Sequence, residues 1–179
     1  MSRIAPSIRI ATVADLPEIE RVMRASTAAL SRGFYDDAQT AAAVRWIAVP
    51  DRQLVDDGTY YVVEEERRVL ACGGWSARRK LFTGTSEQAS AEGWLDPARD
   101  AARIRAMFVD PPHARRGLGR LILETSETAA RAAGFTTLEL MATLPGVPLY
   151  EACGYLRIEP TTLTLPDGTE LGAILMRKA

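Results

Sequence analysis

The stretch Val109-Asp110-Pro111-Pro112-His113-Ala114-Arg115-Arg116-Gly117-Leu118-Gly119-Arg120 (VDPPHARRGLGR) decides how the rest of the chain is read. Before it, residues 103–109 (RIRAMFV) have the composition of a strand, which Asp110-Pro111-Pro112 ends. After it, Leu118, Leu121, Ile122, Ala129 and Ala133 recur at helical spacing, Glu127 and Arg131 form an i,i+4 pair, and Gly134 stops the helix. A strand, a turn with two glycines and a helix start together make an anion site. The first helical turn carries N–H groups without intrahelical partners and the positive end of the macrodipole. Gly117 and Gly119 allow close approach of a phosphate to the backbone, and Arg115, Arg116 and Arg120 add formal charge. Residues 101–120 hold five arginines against one aspartate, a local +4 in a chain of net charge −1. The segment lacks G-x-x-x-x-G-K-[ST] and G-x-G-x-x-G, so it is neither a nucleoside-triphosphatase loop nor a dinucleotide fingerprint.

Outward from this unit the chain alternates irregularly. Upstream, residues 7–12 read as a first strand. Thr12 and Asp15 form a capping box before a helix reaching about Ser31, and a second helix starts near Asp36 or Asp37. Residues 50–58 read as a turn-rich stretch, 59–64 and 69–77 as a hairpin, and 79–100 as a long polar connection of the kind that is more often functional than ornamental. Downstream come a strand at 137–141, a short helix at 147–153, and strands around 155–159 and 169–177 joined by a Pro-Asp-Gly turn. The order β-α-α-β-β-β-α-β-α-β-β predicts an α/β (α+β) fold, a mixed sheet flanked by helices rather than a doubly wound one.

Composition bounds the chemistry. A chain of 179 residues suits a single domain spanning 1–179, large enough to bury about 70% of its unfolded surface. Two cysteines, Cys72 and Cys153, and one histidine leave neither a disulfide framework nor a cysteine or histidine metal site, so no metal is expected. Net charge −1 argues against nucleic acid or an anionic membrane as partner. The start, MSRIAPSIRI, lacks the basic region and apolar core of a signal peptide, and no apolar run approaches 18 residues, so a cytoplasmic, reduced protein is expected.

The sequence resembles the GNAT superfamily of acyl-CoA-dependent N-acetyltransferases. The family's strand ending in Val-x-Pro, followed by [Gln/Arg]-x-x-Gly-x-[Gly/Ala], is matched by Met107-Phe108-Val109-Asp110-Pro111 and Ala114-Arg115-Arg116-Gly117-Leu118-Gly119. A second signature appears about 30 residues on, as Leu149-Tyr150-Glu151-Ala152-Cys153-Gly154-Tyr155. The resemblance implies a mostly antiparallel, splayed sheet with acetyl-CoA between the strands at 103–109 and 137–142. In that arrangement the backbone of Met107, Phe108 and Val109 pairs with the pantetheine arm. The N–H groups of Ala114, Arg115, Arg116, Gly117, Leu118, Gly119 and Arg120 hold the pyrophosphate, Tyr150 sits near the thioester sulfur, and Thr143 is a further cofactor-binding position. The implied activity is transfer of acetyl to a primary amine of a small molecule or protein; the alternative is a non-catalytic acyl-CoA sensor. Partners are then the amine acceptor and, at most, a second copy in a homodimer.

The reaction has three needs. An alkyl ammonium of pKa about 10.4 must lose a proton, the oxyanion needs fixed donors such as a backbone N–H near Val109, and the leaving thiolate, pKa about 8.5, needs a proton. Tyr150, a phenol of ordinary pKa about 10, suits the last role. Three positions depart from the family pattern: Arg105 replaces a frequent Glu, Thr143 a frequent Asn, and Ala114 the first Gln/Arg. Arginine cannot serve as the base, which leaves Glu139, Glu64, His113 or a water chain. Strand alternation puts Arg105 on one face with Arg103, Met107 and Val109, toward the acceptor, where it would recognise a carboxylate or phosphate; the alternative is an exposed or salt-bridged strand residue. Tyr35 is a second candidate for the acceptor pocket, among the aromatics Phe34, Trp46, Trp75 and Trp94.

Overall fold

The computed structural model describes residues 5–179. Strand β1 (Ser7–Ile10) leads through a 3-10 turn (Val13–Asp15) into α1 (Leu16–Leu30). The Asp15 carboxylate accepts from the Thr12 backbone N–H at 2.7 Å, and Pro17 sits in the first turn of α1, where no intrahelical N–H is lost. Then come α2 (Asp37–Trp46), α3 (Arg52–Asp56), β2 (Tyr60–Glu65), β3 (Arg68–Ser76), α4 (Ser86–Ala89) and β4 (Ala102–Val109). The chain closes with α5 (Leu118–Ala132), β5 (Leu138–Thr143), α6 (Val147–Ala152), β6 (Leu156–Thr164) and β7 (Glu170–Lys178). Among the described residues the strands form one seven-stranded sheet in the order β1-β2-β3-β4-β5-β7-β6. All neighbours are antiparallel except β4 and β5. The expected mixed, mostly antiparallel sheet with flanking helices is the fold observed.

Helix α1 packs one face of the sheet, burying Ile19, Val22 and Met23 against Tyr60, Val62 and Cys72. Helix α5 covers the other: Leu123 and Ala130 meet Ile104, Leu138 and Leu140, and Leu118 and Ile122 meet Val63 and Leu70. Each fully buried Leu or Ile contributes about 1.5–3 kcal/mol, so these two stripes hold the layers together.

Two features place the site. The parallel pair β4–β5 is joined only at Ala102↔Leu138 and Arg103↔Glu139, and beyond these residues the strands part. At the closed end Glu139 is buried and accepts from both Arg103 and Arg177, clamping β4, β5 and β7. The second feature is a bulge in β4. Cys72 pairs with Phe108 and Gly74 with Arg105, so β4 carries one residue more than β3, and Ala106 takes φ 53°. The extra residue breaks the alternation. Ile104, Met107 and Val109 pack on the α5 side, whereas Ala106 and Phe108 pack on the α1 side. Arg105 is therefore not on the face of Met107 and Val109, as simple alternation predicts; it turns toward Asp51, ahead of α3. The bulge adds twist to β4 at the point where it leaves β5.

Two other segments differ from expectation. Residues 50–58 contain α3, N-capped by Asp51, whose Oδ1 accepts from the Gln53 N–H at 3.0 Å. Strand β6 runs to Thr164 rather than stopping near Glu159. It is an edge strand, so Pro160 is accommodated within it without costing an interior ladder bond. No helix among the described residues is long and apolar enough to cross a membrane.

Candidate active site

Where β4 and β5 part, a cleft of about 790 Å³ opens. One wall is the end of β4 (Met107, Phe108, Val109) with the loop and helix start at Ala114, Arg115, Gly117, Leu118, Gly119 and Arg120. Thr143, Leu149 and Tyr150 stand opposite, and Ser26, Thr27, Phe34 and Tyr35 close the cleft from α1 and the segment after it.

The loop between β4 and α5 is shaped to present its amides. Arg115 and Gly117 both take the left-handed conformation, φ 62° and 80°, on either side of Arg116, an arrangement that turns successive N–H groups to one side. The first backbone bond into α5 is donated by Leu121 to the Gly117 carbonyl, and the N–H groups of residues 115–120 have no backbone acceptor among the described residues. A run of unpaired donors at a helix N-terminus with Arg115 and Arg120 alongside is an anion cradle. Arg116 differs: its side chain turns to Glu65 at 3.6 Å and is absent from the cleft wall, so only its backbone can contribute.

Asp110 anchors the entry to this loop. It is buried, its N–H donates to the Leu70 carbonyl, and its carboxylate accepts from Arg21 of α1 at 3.1 Å, Arg68 of β3 at 3.5 Å and His113 Nδ1 at 3.2 Å. One residue thus ties α1, β3 and the loop to the end of β4.

Tyr150 lies on α6 with its ring edge-on to Tyr155 at 5.8 Å. Burial pushes its phenol well above the ordinary value, so it remains protonated through neutral and moderately alkaline pH. It lines the large cleft and also a second, adjoining cavity of about 90 Å³ on the Arg105 side. Tyr35 also reaches the cleft, but its hydroxyl is committed: it donates to the Gly172 carbonyl at 2.6 Å and accepts from the Leu144 N–H at 3.0 Å. Only its ring faces the space.

The sequence candidates for a base are drawn elsewhere. Glu139 is held by its two arginines, Glu64 accepts from Arg9 at 2.8 Å, and His113 belongs to the Asp110 cluster. None of the three lines either cavity. No aspartate, glutamate or histidine lines either cavity among the described residues. The small polar residues of α1, Ser26 and Thr27, escaped the sequence reading because they belong to no motif and sit on a helix whose periodicity signals only its buried stripe.

A family model described as the acetyltransferase (GNAT) family matches residues 20–155. The chain belongs to this family. The matched span runs from α1 through the loop before α5 to the segment after α6, and so includes nearly every wall of the cleft. No curated protein sequence matches the chain. Among solved structures, a GCN5-related N-acetyltransferase from Rhodopseudomonas palustris superposes with a TM-score of 0.75 at 18% identity, covering 100% of this chain and 98% of that one. The PaiA N-acetyltransferase from Thermoplasma acidophilum, solved with coenzyme A, gives 0.66 at 12% identity, covering 98% and 99%. A ribosomal-protein-alanine N-acetyltransferase from Brucella melitensis gives 0.62 at 18%, covering 96% and 98%. These identities speak for the GNAT fold alone, and the chemistry must come from the cleft itself.

Proposed function

We propose that this GNAT chain transfers acetyl from acetyl-CoA directly to a primary amine, with both substrates in the cleft and Tyr150 as general acid. The observation that carries the reading is the position of Tyr150, which lines both the cleft that begins at the unpaired N–H groups of 115–120 and the cavity beyond it. The donor set fits a CoA ester. The amides of 115–120, with Arg115 and Arg120, suit a pyrophosphate, and Ala114 and Leu118 line the same mouth. The edge of β4 released from β5 offers Met107, Phe108 and Val109 to a strand-like pantetheine, with Thr143 across from it. When bound, the thioester supplies the activated acetyl group.

The chain's own residues then have distinct tasks. A backbone N–H at the end of β4 donates to the thioester oxygen as negative charge builds there. The amine forms its bond to the carbonyl carbon, the C–S bond breaks, and the Tyr150 hydroxyl donates to the departing sulfur; the buried phenol is a weaker acid than a thiol of ordinary pKa about 8.5, so its donation stabilises the charge building on sulfur and the proton crosses only as the C–S bond breaks. With no carboxylate or imidazole on the walls among the described residues, the amine proton leaves to water through the open cleft, which also returns a proton to Tyr150. The Tyr35 ring and Arg105 border the acceptor's side of this space.

Acetyl-CoA binding is read by a thermal shift. At a hundred times Kd a ligand stabilises by about 2.7 kcal/mol, which for a chain of this size is about 5–10 °C. The double variant R115E/R120E is expected to weaken binding at least tenfold. No shift at millimolar acetyl-CoA would refute the placement.

A further inference from the structure

The cavity of about 90 Å³ beside Tyr150 has one feature the acetyl transfer does not use. Met23, Leu81, Phe82 and Met141 form its apolar wall, and Arg105 and Thr83 line it as well. The Arg105 side chain is 1% exposed. Its Nη2 donates to Asp51 Oδ2 at 2.7 Å and to Thr83 Oγ1 at 3.0 Å. Its Nε is buried without a partner, and Nη1 makes no hydrogen bond among the described residues. A guanidinium has five donors, and here most of them are unmatched next to a cavity. Leaving buried donors unmatched is costly, so the arrangement points to lone pairs supplied from outside the chain.

The charge balance points the same way. Asp51 serves Arg105, Lys80 at 3.0 Å and the N-terminus of α3. Burial pushes its carboxyl up, but the two cations outweigh burial and hold it below the ordinary carboxylate range. Two cations thus share one carboxylate, leaving one positive charge. The nearby Asp57 is matched by its own partner, Arg78, at 2.6 Å, and Glu139 by Arg103 and Arg177. A single carboxylate neutralises the remainder and meets the guanidinium's planar geometry; a phosphate dianion would overshoot. The cavity is also smaller than the ~150 Å³ space that holds a benzene, so it takes the carboxylate end of a small acceptor whose amine end extends past Tyr150 into the adjoining cleft.

We propose that this cavity is the acceptor subsite and that it selects small amino carboxylates, with the carboxylate on Arg105 and Thr83 and the amine toward Tyr150. This rests on the acetyltransferase reading above and narrows its acceptor. The test compares three- to six-carbon amino carboxylates with their carboxamides, which keep the amine and lose the charge. In the wild type kcat/KM is expected to favour the carboxylates ten- to hundredfold, mainly through KM. Arg105→Gln should bring that ratio below threefold, and Thr83→Val, which leaves the Arg105–Asp51 pair in place, should lower it severalfold. Independently of turnover, butanoate should bind the CoA-loaded protein in calorimetry and bind at least tenfold more weakly to both variants. Equal kcat/KM for carboxylates and carboxamides would overturn the proposal while leaving acetyl transfer intact. Absence of butanoate binding to the wild type would overturn it even if no amine in the panel were acetylated.

Discussion

Tyr150→Phe is expected to lower kcat by about 10²- to 10⁴-fold, the range a positioned general acid contributes, while KM for acetyl-CoA changes by no more than a few-fold. The substitution removes only the hydroxyl. The ring stays packed against Tyr155, and the amides of 115–120, at the other end of the cleft, are untouched. Burial raises the phenol's pKa, so the acid form persists as pH rises; wild-type kcat should show no alkaline decline from Tyr150 below pH about 10. Steady-state kinetics of the two proteins between pH 7 and 9.5 check this. A kcat within threefold of wild type would remove Tyr150 from the mechanism.

Gly74→Ala is expected to destabilise the fold by about 3 kcal/mol, the upper part of the range for forced overpacking. In β3, Gly74 faces Arg105 on one side and Tyr60 on the other. A Cβ there would lie 2.2 Å from the Thr59 carbonyl oxygen and 3.0 Å from the Tyr60 Cα. Both are backbone atoms, so no rotamer change relieves the clash. Gly73, beside the bulge, is less restricted, because the nearest atoms to its Cβ would be side-chain atoms, Met107 Sδ at 2.3 Å and Ile122 Cγ2 at 2.8 Å, which can move. Gly74 lets β3 run close to the backbone at the start of β2, while Gly73 faces Met107 of the bulged strand. A Tm lowered by about 6–12 °C is expected. Gly172→Ala is the control: it lies in β7 with only ordinary contact to Leu144, at 3.5 Å, and should cost less than 1 kcal/mol. Equal effects at the two positions would show that the close approach at Gly74 is not what the fold requires.

How much of this was legible in the sequence differs from one element to the next, for physical reasons. The strand–loop–helix of 103–134 was readable because its signals are local: apolar spacing, two prolines, and glycines at 117 and 134, both with positive φ. The cleft wall followed, and of the cofactor residues named from sequence only Arg116 has a side chain that turns elsewhere. The bulge was not readable. Ala106 carries no local preference for φ 53°; packing against β3 and the bond from Tyr60 Oη to its carbonyl, 3.1 Å, impose it. The face of Arg105 was lost with it. The run of β6 through Pro160 was not readable either, because a strand's tolerance of proline depends on its being at the edge, which is a property of the sheet. The candidate bases were misleading for a similar reason. Glu139 is engaged by arginines on two other strands, and Glu64 by an arginine 55 residues away, so their availability depends on pairings the sequence does not display.

The cleft is expected to acetylate an amine rather than only sense an acyl-CoA. The most direct measurement of this is thiol release from acetyl-CoA with and without a panel of primary amines, with the product weighed by mass spectrometry. Amine-dependent release matched one to one by an acetylated amine is expected, and so is loss of that release in Tyr150→Phe. Saturable acetyl-CoA binding with no amine-dependent release across small and protein amines would contradict it.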